Sequence, residues 1–241
     1  MNAKIESNQM NLKRYIPVAV LVIGLVLAIY FDVDKLLSFK AIGENYTTLK
    51  NFIDDQYVLS LLSFSLIYII SVAFSIPGAS ILSLLYGALL GTFVAGSLIV
   101  ISATIGATLI FLAAKYALQD TLKKRAGPWL SKMRDGFNEN AVSYLLFLRL
   151  VPVFPFFVVN LVPAFMGVSL RLYFITTLIG IIPGTFVYAS IGSGIGYILE
   201  QGKTPDLSIL RSPEIIVPLV ALGLLSLMPI IIKKFKGSRT A

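Results

Sequence analysis

The sequence predicts an all-α polytopic membrane protein: about four full transmembrane helices plus two opposed re-entrant helical hairpins in an inverted-repeat arrangement. Three observations carry this. Of the 241 residues, 57% are hydrophobic and only 13% charged, with mean hydropathy +0.87, whereas a soluble domain carries roughly 25% charge. The apolar residues gather into four charge-poor blocks, 16–31, 56–114, 140–199 and 215–232. Proline and glycine interrupt the two long blocks at similar places.

The first block follows Lys13 and Arg14, and Leu27-Ala28-Ile29-Tyr30 offers no small-x-small cleavage site, so it reads as a retained signal-anchor helix. The segment 32–55 holds five acids (Asp32, Asp34, Glu44, Asp54, Asp55) against three lysines and is expected as an external loop. Residues 115–139 carry six basic residues against three acids, and the tail carries Lys233, Lys234, Lys236 and Arg239. Basic flanks stay in the cytoplasm. Both termini are therefore expected inside, and the loop 200–214, with three acids and two bases, outside. The expected organisation is 1–55 as tail, anchor and external loop, 56–199 as the core, and 200–241 as external loop, last helix and basic tail.

Parity constrains the long blocks to an odd number of crossings. A helix over all 59 residues of 56–114 would be about 90 Å long, three times the hydrocarbon thickness. In the second block, about a dozen residues separate Glu139 from Pro152 and Pro155 from Gly167, too few for each arm to cross ~30 Å. A re-entrant hairpin over 140–167, followed by one helix over 169–199, satisfies both constraints. The first block divides likewise, with a hairpin over 56–90 breaking at Ser75-Ile76-Pro77-Gly78 and a helix over 91–114. Three full crossings remain open there. The hairpin is favoured because Ile76-Pro77-Gly78 lies 75 residues before Val151-Pro152-Val153, Gly91 lies 76 before Gly167, and Gly106 lies 74 before Gly180. In inverted repeats, substrate sites form where the broken elements meet.

Cysteine and histidine are both absent, which excludes disulfides, thiol nucleophiles, Ser-His-Asp hydrolysis and the usual zinc or haem ligands. No metal or cofactor is expected. Within 140–199 there are two charges, Arg149 and Arg171. An ionisable residue at membrane depth must face protein, water or an anionic ligand. Arg149, before the Pro152 and Pro155 break, is the stronger candidate; Arg171 starts a helix, where it can snorkel to the interface. Breaks at Pro77-Gly78 and at Pro152 and Pro155 free backbone N–H groups and half-helix N-termini, which favour anions. Asn160, the amide of the second hairpin's second arm, can orient a headgroup or cross-link the arms. The many glycines are spaced for helix packing, Pro183 should kink its helix, and residues 116–137 read as an interfacial amphipathic pair with Trp129 at headgroup level. Gly192-Ser193-Gly194-Ile195-Gly196 follows no strand and is not a nucleotide loop.

Phe74-Ser75-Ile76-Pro77-Gly78-Ala79 with Tyr86-Gly87 and Gly91, Leu148-Arg149-Leu150-Val151-Pro152-Val153-Phe154-Pro155-Phe156 with Asn160, and Thr177-Leu178-Ile179-Gly180-Ile181-Ile182-Pro183-Gly184-Thr185 resemble the VTT-domain family, also called the DedA or SNARE-associated Golgi protein family. The likeness covers about residues 56–196 and is closer to the branch resembling yeast Golgi Tvp proteins. It implies two facing re-entrant hairpins and movement of lipids between leaflets: eukaryotic relatives are regarded as phospholipid scramblases, some bacterial ones as flippases of polyprenyl-phosphate carriers. The flanks look like bacterial members, implying a multi-pass protein of a bacterial inner or plasma membrane. The DedA branch carries a glutamate after its first Pro-Gly, where Ala79 stands here, and a second arginine where Pro155 or Phe156 stands. No acidic residue occurs in either hairpin, which argues against a carboxylate-based proton or sodium coupling.

The expected function is a flippase- or scramblase-type lipid translocase, not an enzyme, taking phosphate-bearing lipids through Arg149 and the hairpin tips. The substrate-binding residues expected are Arg149, Pro77, Gly78, Pro152, Pro155, Asn160 and Arg171. Expected partners are membrane lipids, anionic or phosphate-bearing, and a second copy of the chain is an allowed partner; nucleic acid is not expected. The alternatives are a membrane-organising protein that transports nothing, and a small-anion transporter. An intramembrane enzyme is disfavoured because the apolar blocks offer no acid–base pair.

Overall fold

A computed structural model describes residues 19–20, 22–24, 26, 30, 39–76, 78–125, 140–150, 154, 156–201, 220, 224 and 227. Most of the expected anchor helix 16–31 and last helix 215–232, together with Trp129, Pro77, Pro152 and Pro155, lie outside these residues. Seven helices are defined among them: α1 (Phe39–Asp55), α2 (Tyr57–Ala73), α3 (Ala79–Arg125), α4 (Ala141–Leu150), α5 (Phe156–Phe165), α6 (Leu170–Gly180) and α7 (Ile182–Glu200).

Glycine and proline place the breaks. Helix α3 is interrupted at Gly91 (φ 75°, ψ 170°), backbone that L side chains rarely adopt. After α5, Gly167 (φ 78°) closes the helix while Val168 N–H donates to Pro163 O (3.1 Å) and Gly167 N–H to Ala164 O (3.3 Å), the pair of bonds that caps orphan carbonyls in a Schellman motif. Helix α2 ends in the same way, with Ile76 N–H donating to Ser71 O (2.8 Å) and Ser75 N–H to Val72 O (3.0 Å). There the left-handed position is held by Ser75 (φ 53°), which has a Cβ to accommodate. Ser75→Gly is therefore expected to stabilise the protein by about 1 kcal/mol; an unchanged or lower melting temperature in detergent would refute that. The helix expected over 169–199 divides at Ile181, with Pro183 in the first turn of α7, where its missing N–H costs no hydrogen bond.

Helices α2 and 79–90 form an antiparallel pair. Tyr86 Oη donates to Phe64 O (2.8 Å), the Tyr68 and Ser83 hydroxyls lie 3.0 Å apart, and the Phe64 and Tyr86 rings stack at 4.9 Å. In both halves the helix following the hairpin seats a glycine on the hairpin's first arm. A Cβ at Gly106 would lie 2.7 Å from Ile69 O and 2.8 Å from Val72 Cβ; one at Gly180 would lie 2.9 Å from Arg149 Cβ and 3.3 Å from Leu146 Cδ2. Gly106 and Gly180 thus each let an earlier helix, α2 and α4 respectively, approach closely. Across the halves, α7 lies against 79–90 at bare backbone: Gly87 faces the Ala189 carbonyl, Gly192 that of Leu84 and Gly196 that of Ala88.

The exterior is apolar, and several polar residues lie among the buried hydrophobic core. Ser60, Ser102, Thr104, Asn160 and Thr177 are inside, while Val58, Leu62, Phe93, Ile101, Ile179 and Tyr197 are exposed. Polar groups held within and an apolar exterior suit a hydrocarbon solvent. Ala79–Ala117 and Leu170–Glu200 are long and apolar enough to cross a membrane; the chain is an all-helical membrane protein among its described residues.

Two segments differ from expectation. The segment expected as an external loop contains the 17-residue helix α1, because Tyr46, Leu49 and Ile53 recur at helical spacing and pack against the core. Tyr46 Oη donates to Ala88 O or Glu200 Oε1, both at 3.2 Å, and Lys50 Nζ donates to Leu89 O (3.4 Å). Together they cap the carbonyls left open by the break at Gly91. Burial, reinforced by the Glu200 carboxylate, pushes the Tyr46 phenol up to about 12, so it remains a donor. The second difference is at the start of the expected interfacial pair, where α3 continues unbroken through Tyr116 to Arg125.

Candidate functional site

Arg149 occupies the last turn of α4, where a cation complements the helix dipole. Gly180 removes the side chain that would otherwise collide with Arg149 Cβ, so the guanidinium reaches across to α5 and α6. Its Nη1 donates to Asn160 Oδ1 (2.8 Å), and its Nη2 to Tyr173 Oη (2.7 Å) and Thr177 Oγ1 (2.9 Å). The guanidinium carbon also lies 5.2 Å from the centroid of the Tyr173 ring, within cation–π range.

Tyr173 is fully buried. Its hydroxyl proton is directed to Asn160 Oδ1 (3.0 Å) or to Ala107 O (3.3 Å), and its ring stacks on Phe111 at 4.1 Å. Asn160 Oδ1 therefore accepts from Arg149 and lies within hydrogen-bond distance of the Tyr173 hydroxyl. Because a guanidinium can only donate, this fixes the orientation of the amide. Asn160 Nδ2, on a residue with no exposed surface, is then left without a partner. Two buried N–H donors without acceptors are costly, about 1–3 kcal/mol for an unsatisfied group.

Charge in the cluster is unbalanced. Arg149 rests on three neutral oxygens, which use three of its five N–H donors. Among the described residues no carboxylate forms an ion pair with it. The cluster therefore presents positive charge and donors, with its best acceptor, Asn160 Oδ1, already occupied. Such a constellation takes an anion or a strong acceptor such as a phosphate oxygen. Among the described residues no group of His, Cys, Asp or Glu could hold a metal ion.

Of the residues expected from sequence, Arg149 and Asn160 are brought into direct contact across the second hairpin. Gly78 lies at the first hairpin's tip (φ 118°), its carbonyl accepting from Leu82 N–H (3.0 Å). Arg171 is exposed in the first turn of α6 and is not among the groups bonded to Arg149. Pro77, Pro152 and Pro155 fall outside the described residues. Sequence reasoning missed Tyr173 and Thr177. Their signal was present: Tyr173, Thr177 and Gly180 lie at i, i+4 and i+7, one face of α6.

The VTT domain family matches residues 76–194. The Transmembrane protein 41 homolog of Dictyostelium discoideum is 33% identical over 189 residues, 77% of this chain and 55% of that protein. Transmembrane protein 41B of Mus musculus is 29% identical over 199 residues, covering 81% and 65%. The Transmembrane protein 41 homolog of Caenorhabditis elegans is 31% identical over 194 residues, covering 77% and 74%. This chain thus spans 55% of the Dictyostelium relative's length and 65% of the mouse relative's. No solved structure matches it.

Proposed function

Since this chain belongs to the VTT-domain family of membrane proteins, we propose that it is a lipid translocase of the flippase or scramblase type. It binds the phosphate of a lipid headgroup at Arg149 and the hairpin tips while the tails remain in the bilayer. The observation that carries the proposal is the cluster of Arg149, Asn160, Tyr173 and Thr177: a cation without a carboxylate partner among the described residues, beside an amide whose N–H groups are buried and unpaired. An anionic headgroup supplies the charge and the acceptors that the protein withholds.

The helix lengths support a re-entrant arrangement. Helices α4 and α5 have 10 residues each, about 15 Å, half the ~30 Å hydrocarbon core. The arm 79–90 before the Gly91 break is about 18 Å long, which favours a hairpin over three full crossings in the first block. With the basic flanks inside, both termini are cytoplasmic and the protein sits in the cell membrane. Arg171, Pro77, Gly78, Pro152 and Pro155 complete the proposed headgroup path.

The test is reconstitution of the purified chain into liposomes containing a fluorescent phospholipid or a polyprenyl phosphate, with leaflet exposure read by an impermeant quencher. The protein should accelerate exposure of at least one of the two lipids. Acceleration of neither, by protein shown to be folded and inserted, would move the assignment to a membrane-organising protein. Passage of free phosphate without lipid would move it to an anion transporter.

A further inference from the structure

The stacked pair Phe111 and Tyr173 carries a second cation. Lys115 Nζ lies 5.5 Å from the centroid of the Phe111 ring, while Arg149 lies 5.2 Å from that of Tyr173. The two rings are nearly parallel, with 16° between planes and 4.1 Å between centroids, and both are fully buried. A lysine, two aromatic rings and an arginine thus form one continuous line from helix α3 to helix α4. Lys115 is only half-buried, and its ammonium donates to the Val168 carbonyl (3.0 Å), directly after the Gly167 turn that closes the second hairpin. One bond leaves an ammonium two further donors. Among the described residues no carboxylate forms an ion pair with Lys115.

Two like charges flanking a low-dielectric aromatic slab repel each other, and each strengthens the other's attraction for an anion. Lys115 also lies near the end of the apolar run Ala79–Ala117, the depth at which lysines reach lipid headgroups. We propose that Lys115 is a second phosphate-binding station, at the mouth of the second hairpin, which captures the headgroup from the adjacent leaflet before it reaches Arg149. This rests on the lipid-translocase reading for its purpose, but the binding site itself can be tested without transport.

The competing role for Lys115 is to cap the Val168 carbonyl and nothing more. Lys115→Gln separates the two, since glutamine keeps an N–H donor and loses the charge, while Lys115→Arg keeps both. Binding of dioctanoyl phosphatidic acid to the detergent-solubilised full chain would be measured by calorimetry, with dioctanoylglycerol as the phosphate-free control and inorganic phosphate as a separate arm. The expected result is roughly tenfold weaker phosphatidic acid binding in Lys115→Gln, near wild-type binding in Lys115→Arg, and none to dioctanoylglycerol. In liposomes, Lys115→Gln should raise the lipid concentration for half-maximal rate and leave the saturating rate nearly unchanged. On the unmodified protein, phosphatidic acid should protect Lys115 from an amine-reactive label, read by mass spectrometry, so the proposal stays testable if a variant misfolds.

Wild-type binding in Lys115→Gln, or labelling of Lys115 unaffected by saturating phosphatidic acid, overturns the station and leaves the translocase reading intact. Charge-dependent binding and protection in a protein that moves no lipid would do the reverse. Equal protection by inorganic phosphate would identify the site as one for free phosphate and overturn the headgroup assignment.

Discussion

Arg149→Ala is expected to reduce lipid translocation in liposomes by at least about tenfold, the equivalent of 1.4 kcal/mol, while the protein still inserts. The substitution removes the charge that draws the headgroup and the donors that hold Asn160, Tyr173 and Thr177 in register. Three buried oxygens then lose a donor, at a cost of about 1–3 kcal/mol of stability. The melting temperature in detergent should therefore fall, without loss of the folded state. Arg149→Lys should restore only part of the activity, because an ammonium cannot span three acceptors on two helices with the guanidinium's planar geometry. If the alanine variant moves lipid at the wild-type rate, Arg149 is an internal clamp and the phosphate site lies elsewhere.

The largest effect on stability is expected from Gly192→Ala, a change of one methyl group. Its Cβ would occupy the space of the Leu84 carbonyl, and that carbonyl belongs to a helix that cannot yield locally. The helices must separate, at a cost of about 3 kcal/mol. The control is two residues away: Gly194 has nothing within 4 Å of its added Cβ, so Gly194→Ala should be neutral or stabilise by up to about 1 kcal/mol through helix propensity. Equal melting temperatures for the two variants would show that α7 and 79–90 do not meet at that contact.

The breaks were legible where glycine or proline stands at a position the helix cannot continue, although Gly87, Gly106, Gly192 and Pro163 lie inside helices. Gly91 and Gly167 both carry positive φ, and the division before Pro183 falls where its missing N–H permits. Helix α1 was not, because its charges satisfied the reading of an external loop and masked the spacing of Tyr46, Leu49 and Ile53. At the candidate site, Arg149 and Asn160 stood out as polar groups in apolar surroundings. Tyr173 and Thr177 did not: both are unremarkable in a membrane helix, and their partner lies 24 and 28 residues away on another helix. The unpaired Asn160 N–H groups follow only from the direction of the Arg149 bond, which no one-dimensional pattern records.

The contact of Leu84 with Gly192 also sets an order on biogenesis. The two residues are 108 positions apart, so at 5–20 residues per second the first hairpin leaves the ribosome roughly 5–20 s before its seat on α7 exists. Throughout that interval the Gly87 face of the arm, built to meet bare backbone, has only lipid or the insertion machinery against it. A ribosome stalled before residue 192 should therefore yield a segment that proteases reach more readily than in the finished chain.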